Sequence, residues 1–167
     1  VVDRDGLIIA AEANQRYIYA INPEDGSIVT TITCKENIGP LRGVLSMRDI
    51  IVHPYSYSNK VLIIDRQGAQ REITHSKEIL NCCIDPLTDD LYVVYLDERL
   101  KKAVIDQLSG EGHQERVEVV RFDVPLVGKQ GQNFVYMYLS RPVMTSSGEI
   151  IVSNRKEFLI FKKVFSV

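Results

Sequence analysis

The feature that most constrains this chain is an apolar pair that recurs just after a polar turn: Ile8 in DGLIIAA, Ile50 in RDIIVHP, Leu91 in DDLYVVY and Ile150 in GEIIVSN. Subtracting positions (8 to 50, 50 to 91, 91 to 150) gives intervals of 42, 41 and 59 residues. Two spacings near forty and one lengthened by an insertion match the period of four-stranded propeller blades, which helical solenoids can share. Residue chemistry excludes the solenoid. The segments are short and rich in Val, Ile, Tyr and Phe, and Gly, Pro, Asn and Asp separate them, which is strand and turn composition.

Each unit can be read strand by strand. In the second, GVLSM leads through Arg48 and Asp49 into IIVH, the loop PYSYSN, the strand KVLIID, a turn at Gln67 and Gly68, and AQREIT. The third repeats the order with ILNCCID, PLTDD, LYVVYL, KAVID and RVEVVRF, placing Lys60 and Lys102 at equivalent strand entries. Asp25-Gly26 supplies the positive φ that a tight hairpin needs in the first unit. The first unit opens directly on DGLIIAA, and the last has RPVMTS, GEIIVS and EFLIFKKV with no further strand. Strand counts of three, four, four and three follow.

The expected fold is therefore all-β, a β-propeller of four-stranded antiparallel blades. About three and a half blades are present, part of a ring of about six, with a four-bladed ring as the alternative. The chain reads as a single propeller region over 1–167, with units at about 1–40, 41–78, 79–139 and 140–167. Open sheet edges would invite self-association or completion of the ring by another segment. The long third interval includes NFVYMYLS, which alternates enough to add a strand.

Hydrophobic residues at 45% and charged residues at 25% fit an ordinary globular balance. No apolar run is long enough to span a bilayer and no leading segment reads as a signal peptide, so no membrane partner is expected. Cys34 and the adjacent Cys82 and Cys83 are odd in number and lack a C-x-x-C spacing, which argues for a reducing, cytoplasmic setting. Of the adjacent pair, one is expected in the core and its neighbour on the opposite side.

Motifs for chemistry are sparse. No G-x-S-x-G occurs, and His53, His75 and His113 read as isolated surface histidines. Gly128 and Gly131 are too far apart to cradle phosphate. Glu12, Asn14, Asn81, Asp85 and Asn154 carry the hard oxygens that calcium prefers, but Asp and Asn at strand ends are usually turn-makers. Neither a metal nor another cofactor is assigned, and no catalytic residue.

Charge separates by loop. The turns joining first to second and third to fourth strands carry Asp3, Asp5, Glu24, Asp25, Asp49, Asp85, Asp89, Asp90 and Glu149. The opposite loops carry Arg16, Lys35, Arg42, Lys60, Lys77, Arg99, Lys101, Lys102, Arg141, Arg155 and Lys156, offset by fewer acids. A basic face with Tyr55 and Tyr57 has the composition of interface anchors and of base-stacking surfaces. Arg16, Tyr55, Tyr57, Arg99, Arg155 and Lys156 are the candidate partner-binding residues.

RPVMTSSGEIIVSNRKEFLIFKKV and NCCIDPLTDDLYVVYLD resemble the NHL-type propeller repeat of tripartite-motif ubiquitin ligases. The usual Asp-x-x-Asn-x-Arg cluster after the second strand is only approximated, by EANQR and SNRKE. YIYAINPEDGSIV is also similar to the repeat of pyrroloquinoline-quinone dehydrogenases, although that repeat normally ends on Trp and this chain has none. The first resemblance implies a non-enzymatic module that selects a protein substrate, with catalysis in a RING domain elsewhere in a longer polypeptide. It also implies single-stranded RNA binding as an alternative. A calcium-dependent propeller hydrolase of the regucalcin type is the alternative from another class.

Overall fold

The computed structural model describes residues 2–3, 5–12, 15–38, 44–45, 49–52, 58–65, 67–85, 87–97, 99–100, 102–109, 115–123, 142–153 and 157–162. Among them there is no helix. The strands are β1 (Ile8–Ala11), β2 (Gln15–Ile21), β3 (Ile28–Ile38), β4 (Val44–Leu45), β5 (Asp49–Val52), β6 (Lys60–Asp65) and β7 (Gln70–Thr74). They continue with β8 (Ile79–Ile84), β9 (Leu91–Asp97), β10 (Lys102–Ser109), β11 (Glu115–Asp123), β12 (Val143–Met144), β13 (Glu149–Ser153) and β14 (Phe158–Lys162). They form four antiparallel sheets in chain order: β1-β2-β3, β4-β5-β6-β7, β8-β9-β10-β11 and β12-β13-β14. Among the described residues the strand count is three, four, four and three, as expected from the repeat. β1, β5, β9 and β13 begin at or beside the four anchor residues, and Lys60 and Lys102 open β6 and β10.

Two compact units divide the chain, Val1–Ser76 and Lys77–Val167, each with two sheets. In the first unit, Ile9, Ile18 and Cys34 from one sheet meet Leu62 and Ile64 from the next, with Ala11, Ala20 and Ile32 at the margin. Period-two alternation explains this choice, since residues two apart on β2 and on β6 share a face. Gln70 joins the two sheets by its side chain. Its amide donates to the Thr33 carbonyl at 2.7 Å, and its Oε1 accepts from the Lys35 N–H at 3.1 Å. In the second unit Cys83, Tyr92, Val94, Ala103, Ile105 and Phe122 pack on Met144, Ile150 and Val152. The rings of Phe122 and Phe161 stand 5.1 Å apart within that contact. Each fully buried aliphatic or aromatic side chain here contributes about 1.5–3 kcal/mol.

The turns repeat as closely as the strands. At Asp3, Asp65 and Thr145 the backbone N–H donates to the carbonyl four residues on, at 2.9 Å in all three. The carbonyl of the same residue accepts from a glycine three residues on (Gly6, Gly68, Gly148) at 3.0–3.1 Å. Its side-chain oxygen accepts the N–H of Leu7, Ala69 or Glu149 at 2.9, 2.8 and 3.0 Å. Those glycines have φ of 81°, 86° and 79°, which only glycine adopts without strain. Asn22 and Asp85 open a version one residue longer, in which Gly26 (φ 72°) and Asp89 (φ 63°) take the left-handed position. Asp there is tolerated because its short polar side chain bonds locally.

Burial corrects one expectation and adds to another. His75 is 3% exposed, not a surface residue. Its N–H donates to the Asn59 carbonyl at 2.7 Å, and its own carbonyl accepts from Asn59 Nδ2 at 3.0 Å. Cys82 and Cys83 lie on opposite faces of β8, yet both are buried. NFVYMYLS falls outside the described residues.

Candidate functional site

The third sheet carries the densest array of charged and polar contacts among the described residues. Asp106 sits in β10 and is 0% exposed, with Tyr95, Val104 and Leu108 on its face of the sheet. Arg116 on β11 donates to Asp106 Oδ2 through Nε, and its Nη2 lies 3.3 Å from the Tyr95 hydroxyl. That hydroxyl is 3.5 Å from Asp106 Oδ1, and the Arg116 guanidinium lies 5.6 Å from the Tyr95 ring centroid. A buried carboxylate needs such a cation and donor set, because desolvation would otherwise exceed any gain. Burial, then the Asp106 charge, pushes the Tyr95 phenol above its ordinary range, against the pull of Arg116.

A β-bulge brings the remaining charges to the same side. Ile105 faces Val120 but Asp106 faces Glu118, so Val119 is the extra residue and the alternation of β11 resets there. Val119 and Val120 accordingly both pack on the core, while Arg116, Glu118, Arg121 and Asp123 share the opposite face. Arg121 donates to Glu118 at 2.8 Å and to Asp97 at 3.2 Å, and Lys102 lies 3.4 Å from Asp123. Hydrogen bonding to Glu118 raises the Arg121 pKa.

These contacts shape the turn between β9 and β10. Asp97, held by Arg121, accepts the Leu100 N–H at 3.2 Å, and the turn projects Arg99 and Leu100 into solvent. Leu100 is 48% exposed. An aliphatic side chain beside a guanidinium on a braced turn can fill a partner's pocket and pair with its acids.

Of the six candidate partner-binding residues, Arg99 occupies this turn and Arg16 lies exposed at the start of β2, in the other compact unit. Tyr55, Tyr57, Arg155 and Lys156 lie outside the described residues. Arg99 sits in the connection from β9 to β10, second to third in its sheet, whereas Arg16 is the second residue of β2, which follows β1 in the first sheet. Leu100 was not singled out from sequence, and a Leu inside a charged loop was its one available signal. The Asp106 cluster was missed too, although an Asp within KAVIDQL is a polar break in a buried run.

Several acids of the turns joining first to second and third to fourth strands serve those turns themselves. Asp3, Asp65 and Asp85 accept backbone N–H groups at 2.8–2.9 Å, and Asp25 accepts Ser27 N–H at 2.9 Å. The bonds from Ser27 lower the Asp25 pKa. The calcium candidates have similar local duties. Asp85 caps its turn, Glu12 takes the Tyr19 hydroxyl at 3.4 Å, and Asn81 Oδ1 accepts the Cys82 N–H at 3.2 Å. Asn14 and Asn154 are outside the described residues. Among the described residues no group of three or more His, Cys, Asp or Glu side chains forms a metal site, and no helix is long and apolar enough to cross a membrane.

No protein-family model matches the sequence, and comparison with curated proteins finds no match. Solved structures do match. Selenomethionine-substituted virginiamycin B lyase from Staphylococcus aureus aligns with a TM-score of 0.58 at 14% identity, over 99% of this chain and 55% of that one. A catalytically inactive form of the same lyase, with quinupristin, aligns with a TM-score of 0.59 at 16% identity and the same coverage. A protein from Bacteroides caccae aligns with a TM-score of 0.51 at 12% identity, over 93% of this chain and 57% of that one. The chain thus spans about half the length of the structures it resembles. The expectation of a module without enzymatic activity is corrected by this likeness, because two of these structures are of a lyase and the shared fold carries catalysis there. At these identities the likeness establishes architecture: the chain is an all-β protein of the β-propeller type, and its four antiparallel sheets make up part of such a propeller.

Proposed function

We propose that this chain is a recognition part of a β-propeller protein with NHL-like repeats, and that it holds a protein partner at the turns joining second to third strands. In a tripartite-motif-like ligase that surface would choose the substrate. One observation carries the reading: Arg99 and Leu100 stand exposed on a turn that Asp97 and Arg121 hold in shape. A turn backbone held in place before binding loses less entropy on docking, so an exposed Arg-Leu pair on a braced turn favours recognition over simple solvation.

The test uses a photo-crosslinking residue at position 100 in the intact chain, exposed to cell extract with and without competing RNA. A discrete protein adduct is expected. It should weaken strongly with Arg99→Glu and persist with Leu87→Asp, because Leu87 is 66% exposed in the turn at the opposite end of β9. Adducts unaffected by Arg99→Glu would overturn the proposal. So would capture of RNA instead, with affinity falling steeply as salt displaces condensed ions.

A further inference from the structure

β3 is the last strand of the first sheet, with β2 on one side of it only. Its residues from Ile28 to Thr33, IVTTIT, are all β-branched and include no charge, Pro or Gly. Ile28 and Val29 are 59% and 55% exposed, and Thr30, Thr31 and Thr33 are exposed as well. An uncharged β-branched strand at a sheet edge is a template on which another strand can pair. The last strands of the other sheets break that pattern with charge: Arg71 and Glu72 in β7, Arg116, Glu118 and Arg121 in β11, and Lys162 in β14. β3 has a bulge at Val29, since Ile21 faces Ile28 while Ala20 faces Thr30, and then no charge until Lys35.

The side chain of Gln70, in the same compact unit, occupies this edge where the bulge leaves it open. One carboxamide takes both the Thr33 carbonyl, to which Nε2 donates at 2.7 Å, and the Lys35 N–H, which Oε1 accepts at 3.1 Å. The peptide groups of a neighbouring strand would offer β3 the same chemistry, donors and acceptors side by side. We infer that the Gln70 amide closes the edge of β3, and that the partner it keeps away is β3 of a second copy. Paired antiparallel, two such segments set β-branched residues opposite β-branched residues with no like charges facing, and the contact is self-complementary about a two-fold axis. Amide and second strand compete for the same two backbone groups, so Gln70 is a gate on self-association as well as a link between sheets.

The test compares wild type with Gln70→Met, which keeps the length of the side chain and removes both hydrogen bonds. Hydrogen exchange at the Lys35 amide, followed in dilute solution, should quicken by about threefold or more in the variant. In sedimentation equilibrium at micromolar concentrations the variant should associate more tightly than wild type, by on the order of tenfold. Adding Thr31→Lys, which puts a charge on the exposed edge, should return association to the wild-type level, because charged edge residues oppose strand addition. Unchanged exchange at Lys35 would overturn the inference, as would faster exchange with association no tighter than wild type. Association that Thr31→Lys leaves intact would also overturn it, since misfolded or otherwise exposed surface, and not the edge of β3, would then be the cause.

Discussion

Arg116 grips the carboxylate of Asp106 from the neighbouring strand, and the pair differs sharply in exposure: 39% for the Arg116 side chain against none for Asp106. Solvent can take over part of the duty of the guanidinium but none of that of the carboxylate. The two partners are therefore unequal as mutation sites.

Arg116→Met removes the cation and leaves Asp106 buried with the Tyr95 hydroxyl nearby, so the cost should be about 3 kcal/mol, near the lower end for a broken buried pair. The double variant Asp106→Leu, Arg116→Met removes the uncompensated charge as well and should recover much of that loss. Urea unfolding midpoints of the two variants and wild type decide it. A double variant no more stable than Arg116→Met would show that the pair is not coupled as the geometry states.

The recurring turn gives a separate prediction. Gly6 and Gly68 have φ of 81° and 86°, and a Cβ built on them meets nothing closer than Ile32 Cγ2 at 4.0 Å, next to Gly68. Space is available at both, so strain in the left-handed backbone alone should set the cost of Gly→Ala, about 1–2 kcal/mol at either position. Gly→Asn should cost less, because Asn tolerates that region. Thermal unfolding of the four variants checks it, and equal losses for Ala and Asn would point to a cause other than backbone conformation.

Much of this fold is legible in the sequence because its information is local and repeated. The apolar pair fixes each anchor strand, and Asp or Thr three residues before Gly fixes the turn that precedes Ile8, β7 or β13, so strand counts follow without knowledge of packing. The site is legible only in part. Arg99 falls at a turn that spacing can locate, whereas the bulge at Val119 depends on how β11 pairs with β10, and sequence alternation cannot show a reset made by a partner strand. Burial of His75 and of both Cys82 and Cys83 has the same origin. The cysteines sit where alternation leaves one of two faces outward, and His75 just beyond the end of β7, and all three are covered in the fold.

The Tyr95 phenol ties the charged cluster to alkaline stability. Burial and Asp106 raise its pKa, so the folded chain keeps this proton over a range where the unfolded chain has released it. The folded state then binds more protons, and stability falls with pH. The contribution is complete below the unfolded value of about 10 and is lost as pH rises through the folded value. Tyr95→Phe should therefore give a shallower decline in unfolding free energy above pH of about 10 than wild type shows. Some decline should remain, because Tyr19 is also raised, by desolvation and by Glu12, and acts with the same sign. Urea midpoints measured at stepped alkaline pH for wild type, Tyr95→Phe and Tyr19→Phe separate the two. If Tyr95→Phe followed the wild-type slope, the hydroxyl beside Asp106 and Arg116 would be titrating as it does in the unfolded chain, contrary to the buried network described for the third sheet.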